Sequence, residues 1–513
     1  MLNFIARRLA SAIVIMLIVS IAMYLLLDLA MDPIEDLRTS TSPNKQQLIE
    51  SRIRMLNLDT PSIVRYFWWL RDASGCFIGQ CDLGTAWRSN QLVTDLLGGA
   101  IITTLQLIVA ATVVSIALGV TVGLVSALRQ YTGFDYTITF ISFVLYSLPI
   151  FWVAVLLKQF LAIGFNDFVN NPAISWPAVI ILSIVSGLFW MGAIGGQKTR
   201  RAMVFGVAAV VTLGALVYVL TSGWLLNPSL GIVVVLVTSV GIAVVVTMLS
   251  TGLRNKRALY SALTTAGIGI VLYYPMQWFF YYVTANFWVI VGLAVVSIGV
   301  GILVGYLFGG PDRSQSSRTA AIVAFLVGGL IFVDKVMQSW DLYSNANVIK
   351  NRPIATIGSA TPGLGGDFWV STLDTFTHLL LPSIALILIS FATYTRYSRG
   401  SMLEVLNQDY IRTARAKGLT ERTVIMRHAL RNALLPLASI VPVDIITLIG
   451  GAVITETIFG WSGMGKLFID SLRDSEIDPV MAYIMITGFL AIFANLVADF
   501  VYAILDPRIR VNA

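Results

Sequence analysis

The sequence predicts an all-α polytopic membrane protein of about twelve spans with both termini in the cytoplasm. Three observations predict it. The 513 residues are 57% hydrophobic and 12% charged, with a mean hydropathy of +0.82, whereas a soluble chain carries about 25% charge. Apolar runs of about 20 residues, enough to cross a bilayer, recur along the chain. The linkers between those runs alternate between basic and Lys/Arg-free, which is the pattern that sets topology. The net charge of +7 therefore sits in short loops. No base-reading motif accompanies it, so nucleic-acid binding is set aside.

In chain order, Arg7 and Arg8 precede an apolar run to Leu27. It is long enough to span and lacks a following small-x-small cleavage site, so residues 1–30 read as an uncleaved first span. Residues 31–97 form an extracytoplasmic segment with an amphipathic helix over Lys45–Leu58. Its aromatic cluster Tyr66-Phe67-Trp68-Trp69 is of the kind found at membrane boundaries. Cys76 and Cys81 fall in this segment, where disulfides persist; a local bridge is expected, with two inert thiols as the alternative. His378 and His428 lie far from them, so no metal site is expected.

Residues 98–165 hold spans two and three, the third bent at Pro149. Residues 166–370 add six apolar runs, at about 176–196, 202–221, 230–251, 258–283, 287–308 and 319–338. Their linkers QKTRR, GLRNKR and GGPDRSQSSR are basic, whereas SGWLLNPS and TAN are not. Residues 371–513 hold three more spans, Phe376–Tyr394, Leu434–Thr455 and Val480–Leu505, with a long loop at 396–432. From Arg399 to Arg431 this loop has seven basic and three acidic residues. An even number of inserted spans places it inside the cell; an odd number would place it outside.

Ionisable groups inside spans are costly and therefore informative. Asp444 is a candidate for lining a pathway, or a structural residue beside Pro442. Asn495 and Asp499 suit a helix–helix hydrogen bond, while Lys158, Asp334 and Lys335 fall near outer span ends and are expected to snorkel. The inserted runs are rich in Gly, Ala and Val, which favours close helix packing in an accessory layer over an ion relay.

The basic loop is patterned. Met402, Val405 and Leu406 recur at helical spacing, and Ala414, Ala416 and Gly418 form a small-residue patch among Arg412, Arg415 and Lys417. Small residues admit a close neighbour and the cations suit an acidic partner; the alternative is a solvated loop attracted to anionic lipid. The loop resembles the EAA motif of ABC importer permeases, in the form of the oligopeptide/dipeptide/nickel class. That motif reads E-A-A, three residues, Gly, nine residues, then I-x-L-P. Ala414, Gly418 and Leu430 fall on it; Arg412 and Thr413 replace E-A, His428 replaces Ile, and Arg431 replaces Pro. NLDTPSIVRYFWWL, CDLGTAWRS, GGAVITETIFGWSGMGKL and NLVADFVYAILDPRIR are also similar to that class, with Ser462 where Pro is usual. The likeness covers about 1–165 and 370–513.

The resemblance implies a six-span permease core in the bacterial inner membrane, importing peptides (or nickel or a glycoside) by alternating access. It implies a second permease, two ATPases that carry the ATP and Mg²⁺, and an extracytoplasmic solute-binding protein, all set in membrane lipid. This chain itself would then be no enzyme and bind no cofactor. Arg412, Ala414, Arg415, Lys417, Gly418, Leu419, His428 and Leu430 would form the coupling loop, and a bulky residue at Gly418 would block docking. Asp444, Glu456, Gly463 and Gly465 are the candidates to face the pathway or solute. GWSGMGK (460–466) mimics part of a P-loop, but Leu467 stands where Ser or Thr must hold Mg²⁺ and no strand precedes it. A membrane-embedded enzyme would want supported carboxylates, which Asp32, Glu35 and Asp36 are not. A stand-alone secondary transporter would want matching discontinuous segments in two halves, and none is evident.

Overall fold

The computed structural model describes residues 2–170, 172 and 174–505, with side chains described except at 2–9, 77, 422, 439, 446, 447, 449–451 and 498–505. The side chains of Arg7, Arg8 and Asp499 and the tail from 506 thus lie outside the described residues. In chain order, α1 is Leu2–Ala30, α2 Lys45–Leu56, α3 Ser62–Ser74, α4 Val93–Leu128, α5 Gly133–Ser147 and α6 Ile150–Leu156. Then come α7 Trp176–Ile194, α8 Lys198–Thr221, α9 Gly231–Ser250, α10 Lys256–Val271, α11 Tyr273–Tyr282, α12 Phe287–Gly309 and α13 Arg313–Met337. The last five are α14 Phe368–Leu406, α15 Asp409–Ala416, α16 Leu435–Phe459, α17 Met464–Arg473 and α18 Ile477–Leu505. The described sheet is one two-residue pair, Thr85–Ala86 against Gln91–Leu92.

The protein is a multi-pass membrane protein. Among the described residues ten helical stretches are long and apolar enough to cross a bilayer, or eleven if the bent pair α10/α11 is one span. One of the ten, Phe287–Ser344, contains both α12 and α13. These fold back on each other as a hairpin whose closest approaches run antiparallel, Gly301 to Ala320 and Gly305 to Ser317.

The chain divides into two compact units, one of Met1–Leu161, Thr356–Ser359 and Leu379–Ala513, the other of Ala162–Ala355 and Ala360–His378. In the first, α4 meets the later half of α14 through Gly119 and Gly123, a G-x-x-x-G pair on one helix face. A Cβ on Gly119 would stand 2.6 Å from Tyr394 Cβ, and one on Gly123 2.6 Å from the Thr395 carbonyl oxygen. Ser398 Oγ crosses the contact to donate to the Gly119 carbonyl at 3.2 Å. Tyr66 and Trp69, read above as a boundary cluster, are buried in a core with Tyr24, Leu27, Val480 and Met481; Phe67 and Trp68 are exposed. Cys76 and Cys81 are bonded to each other.

The second unit is packed by small residues. Gly301, Gly305 and Gly309 form a stripe on α12 whose added Cβ atoms would meet α13 backbone or Ser316 at 2.3–3.1 Å. Val235, Ala243, Ala262, Ala266, Val323 and Val327 fill the centre. The break of 43° between α10 and α11 has a local cause, because Pro275 offers no N–H to the Val271 carbonyl and its ring crowds it.

Asp334 departs from expectation. It does not snorkel; it is 0% exposed. Its Oδ1 accepts from Leu230 N (2.7 Å) and Gly231 N (3.3 Å) at the start of α9, and its Oδ2 from the Tyr273 hydroxyl (2.7 Å) and Gln338 Nε2 (2.9 Å). A short carboxylate with four donors close by is satisfied where it stands, so reaching for water would gain nothing.

Candidate functional site

The basic loop grows from α14, whose 39 residues reach ~58 Å at 1.5 Å per residue, well beyond a hydrocarbon core of about 30 Å. After Leu406 the chain turns into α15. Ile411 and Ala414, three apart and so on one face, are buried, while Arg412, Arg415, Ala416 and Lys417 are exposed. The buried pair joins Ala127, Met402, Val424, Ala429 and Ala433 in a small core of its own. Ser401 Oγ ties the two ends of the segment by donating to the Ala433 carbonyl at 2.8 Å.

Gly418 ends α15. Its φ is +74°, its N–H bonds to Arg415 O (3.0 Å) and the Leu419 N–H bonds to Ala414 O (3.4 Å). That pair of bonds is a Schellman stop, which selects glycine for its left-handed backbone. A Cβ there would meet nothing within 4 Å. A bulky residue at Gly418 would therefore strain the backbone itself, and its effect would not isolate a blocked docking surface.

Beyond the stop, Leu419 is 40% exposed, alongside exposed Tyr410 and Met426. Arg415 forms a two-bond pair with Glu421, Nη2–Oε1 2.6 Å and Nε–Oε2 3.2 Å, which holds the Glu421 carboxyl below its usual range. His428 and Leu430 are half-buried, and the His428 carbonyl accepts from Asn432 Nδ2, which also donates to the Tyr410 hydroxyl. The loop thus presents a braced cationic and apolar face.

A second ion pair supports its root. Arg399 grips Asp135, at the start of α5, through Nε–Oδ1 at 2.8 Å and Nη2–Oδ2 at 3.0 Å. Ser126 Oγ (2.5 Å) and Tyr131 N (3.1 Å) donate to the same carboxylate. The Arg399 guanidinium, above all, lowers Asp135 to about 2, against the opposing effect of its burial.

Glu456, Gly463 and Gly465 come together elsewhere. Glu456 is 0% exposed; its Oε1 accepts from Thr104 Oγ1 (2.7 Å), and its Oε2 from Gly465 N (2.7 Å) and Lys466 N (3.1 Å). Thr104 Oγ1 in turn accepts from Met464 N at 2.8 Å. The first three N–H groups of α17, which no helical carbonyl can reach, are thereby satisfied, with a negative charge at the positive end of the helix. A Cβ on Gly463 would stand 2.3 Å from Glu456 Oε1, and one on Gly465 2.5 Å from Val453 Cα, so both glycines permit the close approach. The glycine-rich loop binds its own chain's carboxylate with the N–H groups that a P-loop would offer to phosphate.

Asp444 is half-buried beside the fully buried Tyr394. It lies on α16 with Glu456, about three turns away. The structure therefore keeps Asp444, the Glu456 cluster and the basic loop as three separate places.

Two family descriptions match. Residues 1–108 match the N-terminal component of binding-protein-dependent transport system membrane proteins, and residues 202–511, more than half of the chain, match the binding-protein-dependent transport system inner membrane component. The chain belongs to that family. It is 36% identical over 204 residues to the oligopeptide transport system permease protein OppB of Mycobacterium tuberculosis (strain ATCC 25618 / H37Rv), covering 39% of this chain and 61% of the relative. It is 51% identical over 137 residues to the oligopeptide permease AppB of Bacillus subtilis (27% of this chain, 43% of the relative). With the dipeptide permease DppB of Escherichia coli (strain K12) it shares 44% identity over 234 residues, 42% of this chain and 68% of the relative. The alignment to the Mycobacterium relative thus spans under two thirds of that protein.

Within this inner-membrane component, sequence reasoning missed the Arg399–Asp135 pair. The two are 264 positions apart, and no local pattern links them. A signal did exist: Asp135 is an acid in the otherwise neutral turn QYTGFD between two spans, where a lone charge wants a partner.

Proposed function

We propose that this chain is a permease subunit of an ATP-driven importer of di- or oligopeptides in a bacterial inner membrane. Support for the family comes from the matches above, and support for peptide from the relatives' names. The observation that carries the coupling role is the exposed face of Arg412, Ala416, Lys417 and Leu419 on a braced helix at the tip of an over-long span. In this reading that face rests on one of two partner ATPases, which hold ATP and Mg²⁺. A second permease completes the pathway, and an extracytoplasmic protein delivers the solute. ATP binding favours one of two conformations, and that differential drives alternating access.

Leu419→Glu tests the docking face without touching the glycine stop. It should leave stability within about 0.5 kcal/mol, as surface changes do, yet abolish peptide-stimulated ATP hydrolysis in the reconstituted complex. Normal stimulated hydrolysis in that variant would remove the docking assignment. Uptake by the permease with neither ATP nor the ATPases would replace the importer reading with a secondary transporter.

A further inference from the structure

Arg396 stands one turn before Arg399 on α14, and the two arginines differ in what they meet. Arg399 is neutralised by Asp135. Arg396 is exposed, and it makes no ion pair or hydrogen bond among the described residues. Its guanidinium carbon instead lies 4.3 Å from the ring centre of Tyr146 and 5.0 Å from that of Phe143, both on α5. Those rings are themselves 56% and 52% exposed. They attract the cation but leave its N–H groups without an oxygen acceptor.

Two further observations bear on what this cage meets. Tyr146 lies ~16 Å along α5 from Asp135, at 1.5 Å per residue. With the Asp135 turn at the cytoplasmic face, that is about the middle of a ~30 Å hydrocarbon core, beyond the inner-leaflet headgroups. Directly after Ser147 the helix breaks. Leu148 (ψ 128°) and Pro149 (ψ 139°) are extended before α6 resumes, and Pro149 has no N–H for the Leu145 carbonyl. Ser147 and Pro149 are exposed on this chain. Unwound backbone at membrane depth stands only against protein or a water-filled cavity, and an arginine without an acid needs the same surroundings. The face that carries both therefore does not front lipid.

We propose that Arg396, framed by Phe143 and Tyr146, receives the C-terminal carboxylate of a peptide crossing the membrane. The guanidinium fork matches a carboxylate with two parallel N–H···O bonds, and the two rings hold the fork in place before the peptide arrives. The broken span beside it keeps this stretch of wall against the pathway. The inference deepens the peptide reading above and rests on it, and on the topology that places the turn between α4 and α5 inside the cell.

The test is uptake of trialanine and of trialanine amide by the complete transporter in proteoliposomes. The delivery protein's own preference between the two probes is common to every variant and cancels when variants are compared. Arg396→Gln should lower the ratio of kcat/KM for trialanine to that for the amide at least about tenfold, within reach of one charge-assisted contact. Arg396→Lys keeps the charge but not the fork and should retain part of the ratio. The double variant Phe143→Leu/Tyr146→Leu should lower it severalfold. Co-purification with the second permease and the midpoint of unfolding by SDS titration should stay at the parent's values for Arg396→Gln. An unchanged ratio in Arg396→Gln would overturn the proposal while the importer reading stands. A ratio that falls in step with lost co-purification would also overturn it, since Arg396 would then pair with an acid of the second permease. A fall that follows the anionic lipid content of the vesicles would do the same, with a phosphate as the occupant. A parent that imports neither probe strikes the importer reading, and the inference with it.

Discussion

In the unit that carries the basic loop, the residues that fix the helix ends are polar and distant in sequence: Asp135 with Arg399, and Glu456 with Thr104 and the first turn of α17. In the second unit, contact is made largely by the absence of side chains, with Gly301, Gly305 and Gly309 letting α13 approach α12, beside two buried carboxylates, Asp334 and Asp374, that are hydrogen-bonded where they stand. Lipid is as apolar as the helices it surrounds, so apolar burial alone cannot specify which helices meet. Close packing or hydrogen bonding must do so. Both units use both devices, but ion pairing of a buried carboxylate, Asp135 with Arg399, belongs to the first, and the longest glycine stripe, on α12, to the second. The first should therefore be sensitive to charge and the second to volume.

The largest effect is expected for Arg399→Ala, which leaves the Asp135 carboxylate unpaired at 2% exposure. A cost of about 3 kcal/mol is expected for breaking such a pair, read as a lowered midpoint in unfolding by SDS titration. A change under about 0.5 kcal/mol would put the polar account of this unit in doubt. Gly305→Leu comes next, at about 2 kcal/mol for overpacking against backbone 2.3 Å away. Gly292→Leu on the same helix, with nothing within 4 Å, should be near neutral. Equal effects at the two positions would break the volume side of the comparison.

Asp334→Asn should cost about 1 kcal/mol, because one oxygen acceptor remains where two stood. If the same substitution proves more harmful than Gly305→Leu, the inserted unit is held by its polar hub and the contrast narrows. Smallest is the pH effect. Asp135 is held at about 2, below its ordinary 3.8, so its stabilisation is fully present above about pH 4 and is lost as pH falls from there toward 2. The midpoint difference between the parent and Asp135→Asn should be flat from pH 7 to 5 and shrink below 4; a difference that grows on acidification would contradict the pairing.

Much of this was legible in the residues. Composition gave the class, and apolar runs marked most of the ten or eleven membrane-length stretches seen among the described residues, against the twelve expected. The A-x-x-x-G spacing of Ala414 and Gly418 marked the loop, because a helix stop requires glycine locally. Gly463 and Gly465 were also visible, but their reason was not. They read as candidates to face the pathway or solute, and the structure shows the N–H groups at the start of α17 donating there to the Glu456 carboxylate. Asp334 was misread for the same cause: sequence places it near a span end, and only the fold brings the start of α9, Tyr273 and Gln338 to it.

What the sequence determined by itself was everything that depends on neighbours along the chain: hydrophobic length, breaks at proline, the glycine stop after α15 and the helical faces. What only the tertiary structure decided was the fate of the charges. A carboxylate in an apolar protein must find donors wherever they are, and here a donor comes from a helix far along the chain, as Thr104 does to Glu456 across 352 positions. That pairing is a property of the packed helices, and no stretch of local sequence contains it.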